Sequence, residues 1–412
     1  MNLHQGVASS PVPLMSERRV SLIGAMLVAI GPISMALYTP AMTEIVRAFD
    51  TTEAAVKMTL SIYFAGFAVA QLICGPLSDA FGRRPVVMGF MGIYAVASMI
   101  AVVAPTIELL ILARFLQGVG AAVGVAVSRA LVRDLFTREQ SARIMNLIGV
   151  ILSIGPAVSP TIGGLTMELA GWHAIFLLML AFGFLIVIVA KFAMVETAPS
   201  RDPSRASPRG LYKAYSTLFR TPYFVGAAII MAGTSGALYT QATILPFILM
   251  QRVGLTPTQF GMGMLVQSGM FFSGTISVYF LMKRFNSSQL VPVGLTFIAL
   301  GSLLMLVILN MLPPTFLRVM LPSATFAYGI AFVMPSMMTA SMAPFPHMAG
   351  SASALSGFMQ MSAGLIGGTV AAIIGDPVVA MSIVVPIMGA TAIVSWLLWR
   401  RLPEPAQRVV RS

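Results

Sequence analysis

The stretch Gly75-Pro76-Leu77-Ser78-Asp79-Ala80-Phe81-Gly82-Arg83-Arg84-Pro85 interrupts two long apolar runs, 58–78 and 86–107, with a small knot of charge. Asp79 ends one helix, Gly82 makes the turn, and Pro85 opens the next, where its fixed φ is preorganised for a helix. Gly75 is expected to permit close packing. A membrane span needs about 20 apolar residues, so the flanking runs read as two spans joined by a tight loop at the membrane surface.

The same pattern extends outward in both directions. Ten further uncharged or nearly uncharged runs lie at 20–42, 109–128, 144–167, 174–195, 223–250, 258–282, 289–312, 319–342, 348–372 and 378–399. The first run follows Arg18-Arg19 and exceeds the about 7–15 residues of a secretory h-region, so it reads as a span. Twelve is even, and both termini then share a side. Composition agrees: 58% of the 412 residues are apolar and 9% are charged, against about 25% charged in soluble domains. Such a chain cannot cover a water-facing surface, which excludes soluble enzymes, disordered proteins and disulfide scaffolds. Cys74 is the single cysteine, so there is no intrachain disulfide framework.

The net charge of +12 imitates a nucleic-acid signal until its residues are placed. With the N-terminus in the cytoplasm, twenty of the 25 Lys and Arg fall on the cytoplasmic side; Arg47, Lys57, Arg252 and Arg318 fall outside, and Arg114 lies within a span. That asymmetry sets the orientation. The longest connection, 196–221, is rich in Arg, Ser and Pro and reads as a solvated cytoplasmic linker, its basic residues serving topology and contact with anionic lipid. The division is then a tail at 1–19, a six-helix bundle at 20–195, the linker at 196–221, a second six-helix bundle at 222–400 and a tail at 401–412. A short repeat supports it: Ala36-Leu37-Tyr38-Thr39-Pro40-Ala41-Met42 recurs as Ala237-Leu238-Tyr239-Thr240-Gln241-Ala242-Thr243. Parallel repeats of this kind build transporter sites near the bilayer midplane.

Catalytic chemistry is not visible. His4, His173 and His347 are scattered, no HExxH or CxxC spacing exists, and no Gly-Lys pair can form a phosphate-cradling loop. No catalytic residues, metal or cofactor are therefore expected. A membrane-embedded enzyme would show clustered His or Asp, and a membrane receptor an appended signalling domain; neither pattern is present. Instead, 36 Gly and 26 Pro punctuate the chain, as suits helices that approach closely and rock.

Three clusters carry a family resemblance. The loop from Gly75 to Arg84 resembles the G-x-L-x-D-x-x-G-R-R/K signature of the major facilitator superfamily, between its helices two and three. Gly75, Asp79, Gly82, Arg83 and Arg84 would form a switch that locks the cytoplasmic ends of the two bundles. Arg114-Phe115-Leu116-Gln117-Gly118 resembles the family's R-x-x-x-G pattern in helix four; Arg114 lies about six residues, or about 9 Å, into its span, and an ionisable group there is a functional candidate, implied here in coupling. Gly155-Pro156-Ala157-Val158-Ser159-Pro160-Thr161-Ile162-Gly163-Gly164 is similar to the G-P-x-x-G-P-x-x-G-G element in helix five of the family's exporters, with Ser159 in place of the second pre-proline glycine. Pro156 and Pro160 are expected to shape a bend. Further phrases, including Tyr38-Thr39-Pro40-Ala41-Met42, Gln71 ahead of Gly75-Pro76-Leu77-Ser78-Asp79, Ser128-Arg129-Ala130-Leu131-Val132-Arg133-Asp134 and Ala343-Pro344-Phe345-Pro346, resemble the bicyclomycin- and chloramphenicol-resistance branch (the Bcr/CflA group) of drug:proton antiporters.

The resemblance covers about residues 20–400. It implies an all-α, twelve-helix major facilitator fold in a bacterial cytoplasmic membrane and a monomer that exports small toxic amphipathic compounds in exchange for protons, by alternating access. A metabolite exporter, for an amino acid or siderophore, is the alternative. Many members carry an Asp where this chain has Ala36, and span one contains no carboxylate. That leaves the proton carrier open. The 31 methionines could line an adaptable pocket or simply fill gaps. Tyr38, Gln117, Asn146, Tyr239, Gln241, Gln267, Tyr328 and Gln360 are the candidates for the substrate cavity.

Overall fold

The computed structural model describes residues 15–198 and 207–403, leaving aside the side chains of His347 and of a few positions between Arg138 and Ser153. The chain is helical wherever it crosses an apolar run. Span one is α1 (Glu17–Tyr38), continued by a 3-10 turn (Thr39–Ala41) and α2 (Met42–Ala48). Spans two and three are α3 (Glu53–Phe81) and α4 (Arg83–Val102), and span four is α5 (Ile107–Ala121) with α6 (Val123–Leu135). Next comes α7 (Arg138–Phe192), 55 residues long. At 1.5 Å per residue that is about 80 Å, far beyond a hydrocarbon core of about 30 Å. Gly171, at φ 75° and ψ 178°, breaks it into spans five and six; only glycine adopts that backbone without strain.

The second half repeats the scheme. A short helix, α8 (Pro208–Phe219), precedes α9 (Pro222–Pro246), which passes into a π-helical turn (Phe247–Arg252). Then follow α10 (Pro257–Leu281), α11 (Ser287–Met311), α12 (Phe316–Met342), α13 (Ala349–Ile374) and α14 (Pro377–Trp399). The helices start at polar caps. Ser16, Thr52, Thr106 and Thr315 accept from backbone N–H groups three residues on, and Asp376 accepts from both Val378 and Val379. Each cap satisfies donors that a helix end would otherwise leave unpaired. Large apolar side chains such as Phe272, Leu303, Leu321, Ile373 and Ile387 point outward, as a lipid-facing surface requires.

The two six-helix halves meet along two seams, α3 against α13 and α7 against α10. At one end, called the basic end, Arg83 bonds Asp134 and Arg84 bonds the Lys191 carbonyl, while Arg143 pairs with Glu17 at 3.7 Å. The opposite, far end is shut by contacts between the halves. Gly164 and Gly261 let the backbones touch: an added Cβ would lie 2.2 Å from the Pro257 carbonyl oxygen and 2.3 Å from that of Pro160, respectively. The backbone N–H of Thr258 also donates to Glu168 across this seam, at 3.0 Å.

Two expectations from sequence change here. Residues 208–219 of the linker are not simply solvated: α8 docks, with Leu218 buried beside Phe224 and Leu355, and the Tyr215 hydroxyl donating to the Leu72 carbonyl. Gly75 meets no neighbour within 4 Å of an added Cβ; it faces open space between the halves rather than a packed helix. In α7, Pro156 and Pro160 keep helical backbone angles, and the residue with non-helical angles is Gly171. What the span-five glycines provide is proximity. Gly155 contacts Ile33, and Gly163 sits against the Leu37 carbonyl.

Candidate functional site

Between the halves lies a central cavity of about 250 Å³. Its wall is assembled from helical stripes. Tyr63, Phe67 and Gln71 recur every four residues on α3, Val125 and Arg129 on α6, and Ser353, Gly357 and Met361 on α13, so each set lies on one helix face. Met35, Met334, Met338 and Met361 complete an apolar lining, with Tyr239 against Phe64 at 5.3 Å between ring centroids. Four methionines thus do line the cavity, as adaptable side chains can. A second cavity of about 250 Å³ lies toward the basic end, lined by Gly75, Asp79, Arg83, Arg133, Met348 and Ser351 among others. Gln71, Arg129 and Ser353 line both, and Arg129 bonds the Ser353 hydroxyl across the halves.

Of the residues expected in the cavity, Tyr239 and Gln360 line it. Tyr38 and Gln117 lie deeper, around Arg114. Gln267 instead donates to Gln241 Oε1 between α10 and α9 at 2.8 Å, and the Tyr328 hydroxyl donates to Ser277 at 2.9 Å within the second half. The side chain of Asn146 lies outside the described residues. Sequence reading missed Tyr63, Gln71 and Arg129 as cavity residues, although the four-residue stripe that carries Tyr63 and Gln71 was a usable signal.

Arg114 is fully buried. Its guanidinium carbon sits 4.4 Å from the Tyr38 ring centre and 4.5 Å from that of Tyr63. Nη1 donates to Gln117 Oε1 at 2.7 Å, and Gln117 Nε2 donates to Ser98 at 2.8 Å. The hydroxyls of the tyrosines are committed elsewhere. Thr59 gives its own proton to the Val56 carbonyl, so Tyr38 donates to Thr59, at 2.6 Å. Tyr63 donates to the Gly31 carbonyl at 2.9 Å. Two electron-rich ring faces therefore hold the charge where, among the described residues, no carboxylate pairs with it, a cation–π arrangement strengthened by desolvation. Nε and Nη2 have no hydrogen-bond partner. The carbonyl of Ala36, freed by Pro40, is not available to Arg114: it accepts from the Thr39 hydroxyl.

The loop residues act inside the first half. Arg83 joins Asp79 and Asp134, with Asp134 at 3.1 Å, and donates to Ser78 at 2.7 Å. Gly82 turns at φ 104°. Glu196, at the end of span six, accepts from the backbone N–H groups of Arg83 and Arg84 at 2.9 and 3.3 Å and so caps α4. These contacts tie α3, α4 and α6 together rather than linking the two bundles directly. At the far end, Lys57 is also fully buried. It donates to Glu53 at 3.3 Å and across the halves to the Gly375 carbonyl at 3.0 Å, with the Phe247 ring centre 4.9 Å away. Among the described residues there is no cluster of His, Cys, Asp or Glu able to hold a metal.

With that geometry in view, the comparisons are direct. The profile of the Major Facilitator Superfamily matches residues 24–368. Multidrug resistance protein D of Escherichia coli (strain K12) is 28% identical over 405 residues, covering 95% of this chain and 99% of the relative. Multidrug resistance protein MdtL of Klebsiella pneumoniae is 26% identical over 381 residues, covering 92% and 94%. An uncharacterized MFS-type transporter of Bacillus subtilis, YdgK, is 28% identical over 380 residues, covering 89% and 92%. Among solved structures, the xylose transporter XylE from E. coli, in a partially occluded inward-open conformation, superposes with a TM-score of 0.70 over 94% of this chain and 98% of its own; at 12% identity it shows the fold alone.

Proposed function

Because the chain belongs to the Major Facilitator Superfamily, and so is a multi-span membrane transporter of small molecules rather than an enzyme, we propose that it exports small toxic amphipathic compounds in exchange for protons. The basic end faces the cytoplasm of a bacterial cell, and the protein works as a monomer. The observation that carries this reading is the central cavity: a wall mostly of apolar and aromatic side chains, four of them methionines, with few polar groups, and a neighbouring cavity toward the basic end. Such a wall suits varied apolar bodies better than one hydroxyl-rich metabolite, which would need a dense set of fixed hydrogen-bond partners. The names of the E. coli and Klebsiella relatives support the same substrate class.

The two seams support alternating access. The close glycine contacts and Lys57 close the far end, and the cavity between the halves is reached from the basic end. Rocking would part the far-end contacts and close α3 and α6 onto α13. The loop from Gly75 to Arg84 is the switch in this scheme, keeping α3, α4 and α6 moving as one body. Arg114 serves coupling: Tyr63 both stacks on it and lines the cavity, so substrate and buried charge share one ring. A fixed positive charge there lowers the proton affinity of any acid brought near it. The test is resistance and dye retention in a pump-deficient bacterium expressing the chain. Efflux that stops when a protonophore is added supports the reading; efflux indifferent to it removes proton exchange.

A further inference from the structure

The two cavities share one junction, and its charge is one-sided. Arg129, Gln71 and Ser353 line both. In the central cavity Arg129 is the only charged residue among the described lining residues, and no carboxylate is present. In the basic-end cavity the only acidic lining residue is Asp79, which is already paired with Arg83. Among the described residues, the hydrogen-bond partner of the Arg129 guanidinium is the Ser353 hydroxyl, a neutral acceptor that brings no compensating charge. A second positive charge, Arg114, lies one tyrosine ring away.

Gln71 is an independent pointer to a ligand. Its amide is 7% exposed, it faces the junction, and its Oε1 has no hydrogen-bond partner. The oxygen and nitrogen of an amide exchange places by a flip, so this group can present two N–H donors to an acceptor in the cavity. Room for it is made by the opposite half: a Cβ at Gly357 would lie 2.2–2.6 Å from the Gln71 side chain. A guanidinium fork, an amide and a serine hydroxyl thus converge where an apolar chamber meets a more polar one of similar size.

Resting on the export reading above, we propose that this junction binds the anionic head of the substrate, so that the chain takes amphipathic anions (carboxylates or sulfonates with an aromatic body) in preference to lipophilic cations. The fork of Arg129 matches such a head with two charge-assisted bonds, while the rings and methionines receive the body. A cation entering the same space meets two like charges and no counter-ion in the central chamber.

Three dansyl sulfonamides of one size test this: one ending in a sulfonate, one in a neutral alkyl group, one in a trimethylammonium. Binding to the purified full chain in lipid nanodiscs is read by fluorescence anisotropy, with empty nanodiscs subtracted. The sulfonate is expected to bind about tenfold more tightly than the neutral dye, and the cation more weakly than either. Arg129→Gln should lower the ratio of sulfonate to neutral affinity about tenfold, and Arg129→Lys should keep most of it; a ratio is insensitive to any fraction of misfolded protein. Tighter binding of the cation, or an unchanged ratio in Arg129→Gln, overturns the anion preference while leaving efflux intact. Binding of none of the three dyes overturns the amphiphile-export reading itself, and this inference with it.

Discussion

Adding one methyl group at Gly164 should push the protein out of the arrangement described here. The new Cβ would lie 2.2 Å from the Pro257 carbonyl oxygen, 2.6 Å from its carbon and 2.9 Å from Thr258 Cα. All three are backbone atoms of the other half, so no side chain can rotate away. Overpacking of this kind costs about 1–3 kcal/mol. Here the strain is relieved by separating the halves at the far end, so the cost falls on one state of the cycle and not on folding. It should therefore shift the balance between states by about 5- to 150-fold. Spin labels at Arg47→Cys and Arg318→Cys, one on each half at the far end, would report the shift in a Cys74→Ser background. Gly164→Ala should populate a longer distance. Two controls separate the causes. Gly66→Ala meets the Phe115 carbonyl oxygen at 2.1 Å inside the first half, so it should reduce folded yield without lengthening the distance. Gly75→Ala meets nothing within 4 Å and should do neither. A Gly164→Ala distribution identical to that of the parent would remove the far-end glycines from the gating scheme.

Arg114→Lys keeps the charge but loses the planar fork, so it should retain partial efflux, whereas Arg114→Ala should abolish proton-driven efflux at matched membrane abundance. Wild-type resistance from the alanine variant would mean that Arg114 is only a structural residue. Asp79→Asn removes one of the two acidic partners of Arg83, a charge-assisted contact of about 1.5–3 kcal/mol. Turnover should fall severalfold with dye affinity nearly unchanged, and an unaltered turnover number would exclude Asp79 from the switch. Lys57→Met keeps the apolar stem but deletes the bond to the Gly375 carbonyl, and should increase thiol labelling of a cysteine placed in the far-end seam. No increase would show that the glycine contacts alone hold that end shut.

The architecture was legible in the sequence because spans announce themselves by length and hydropathy, and the kink at Gly171 fell in the expected gap between runs 144–167 and 174–195. Arg114 and Gln117 were legible too, being three residues apart on one helix. What remained hidden depended on pairs far apart in the chain. Lys57 reads as an ordinary basic residue at a span end, since its acceptor, the Gly375 carbonyl, is 318 positions away. Gln71 and Arg129 acquire meaning only when α3, α6 and α13 are brought together. Polar residues within spans were a poor guide to the cavity for a physical reason. Gln241, Gln267 and Tyr328 are drawn to each other or to a neighbouring serine within the second half, because an unpaired polar group in an apolar interior is costly.

Reconstituted alone into proteoliposomes, with no ATP present, the chain is expected to drive an amphipathic dye against its gradient when a pH difference is imposed, and to stop when that difference is collapsed. Transport that required ATP, that followed a sodium gradient in place of the proton gradient, or that ran undiminished after the pH difference was removed would contradict proton-driven export.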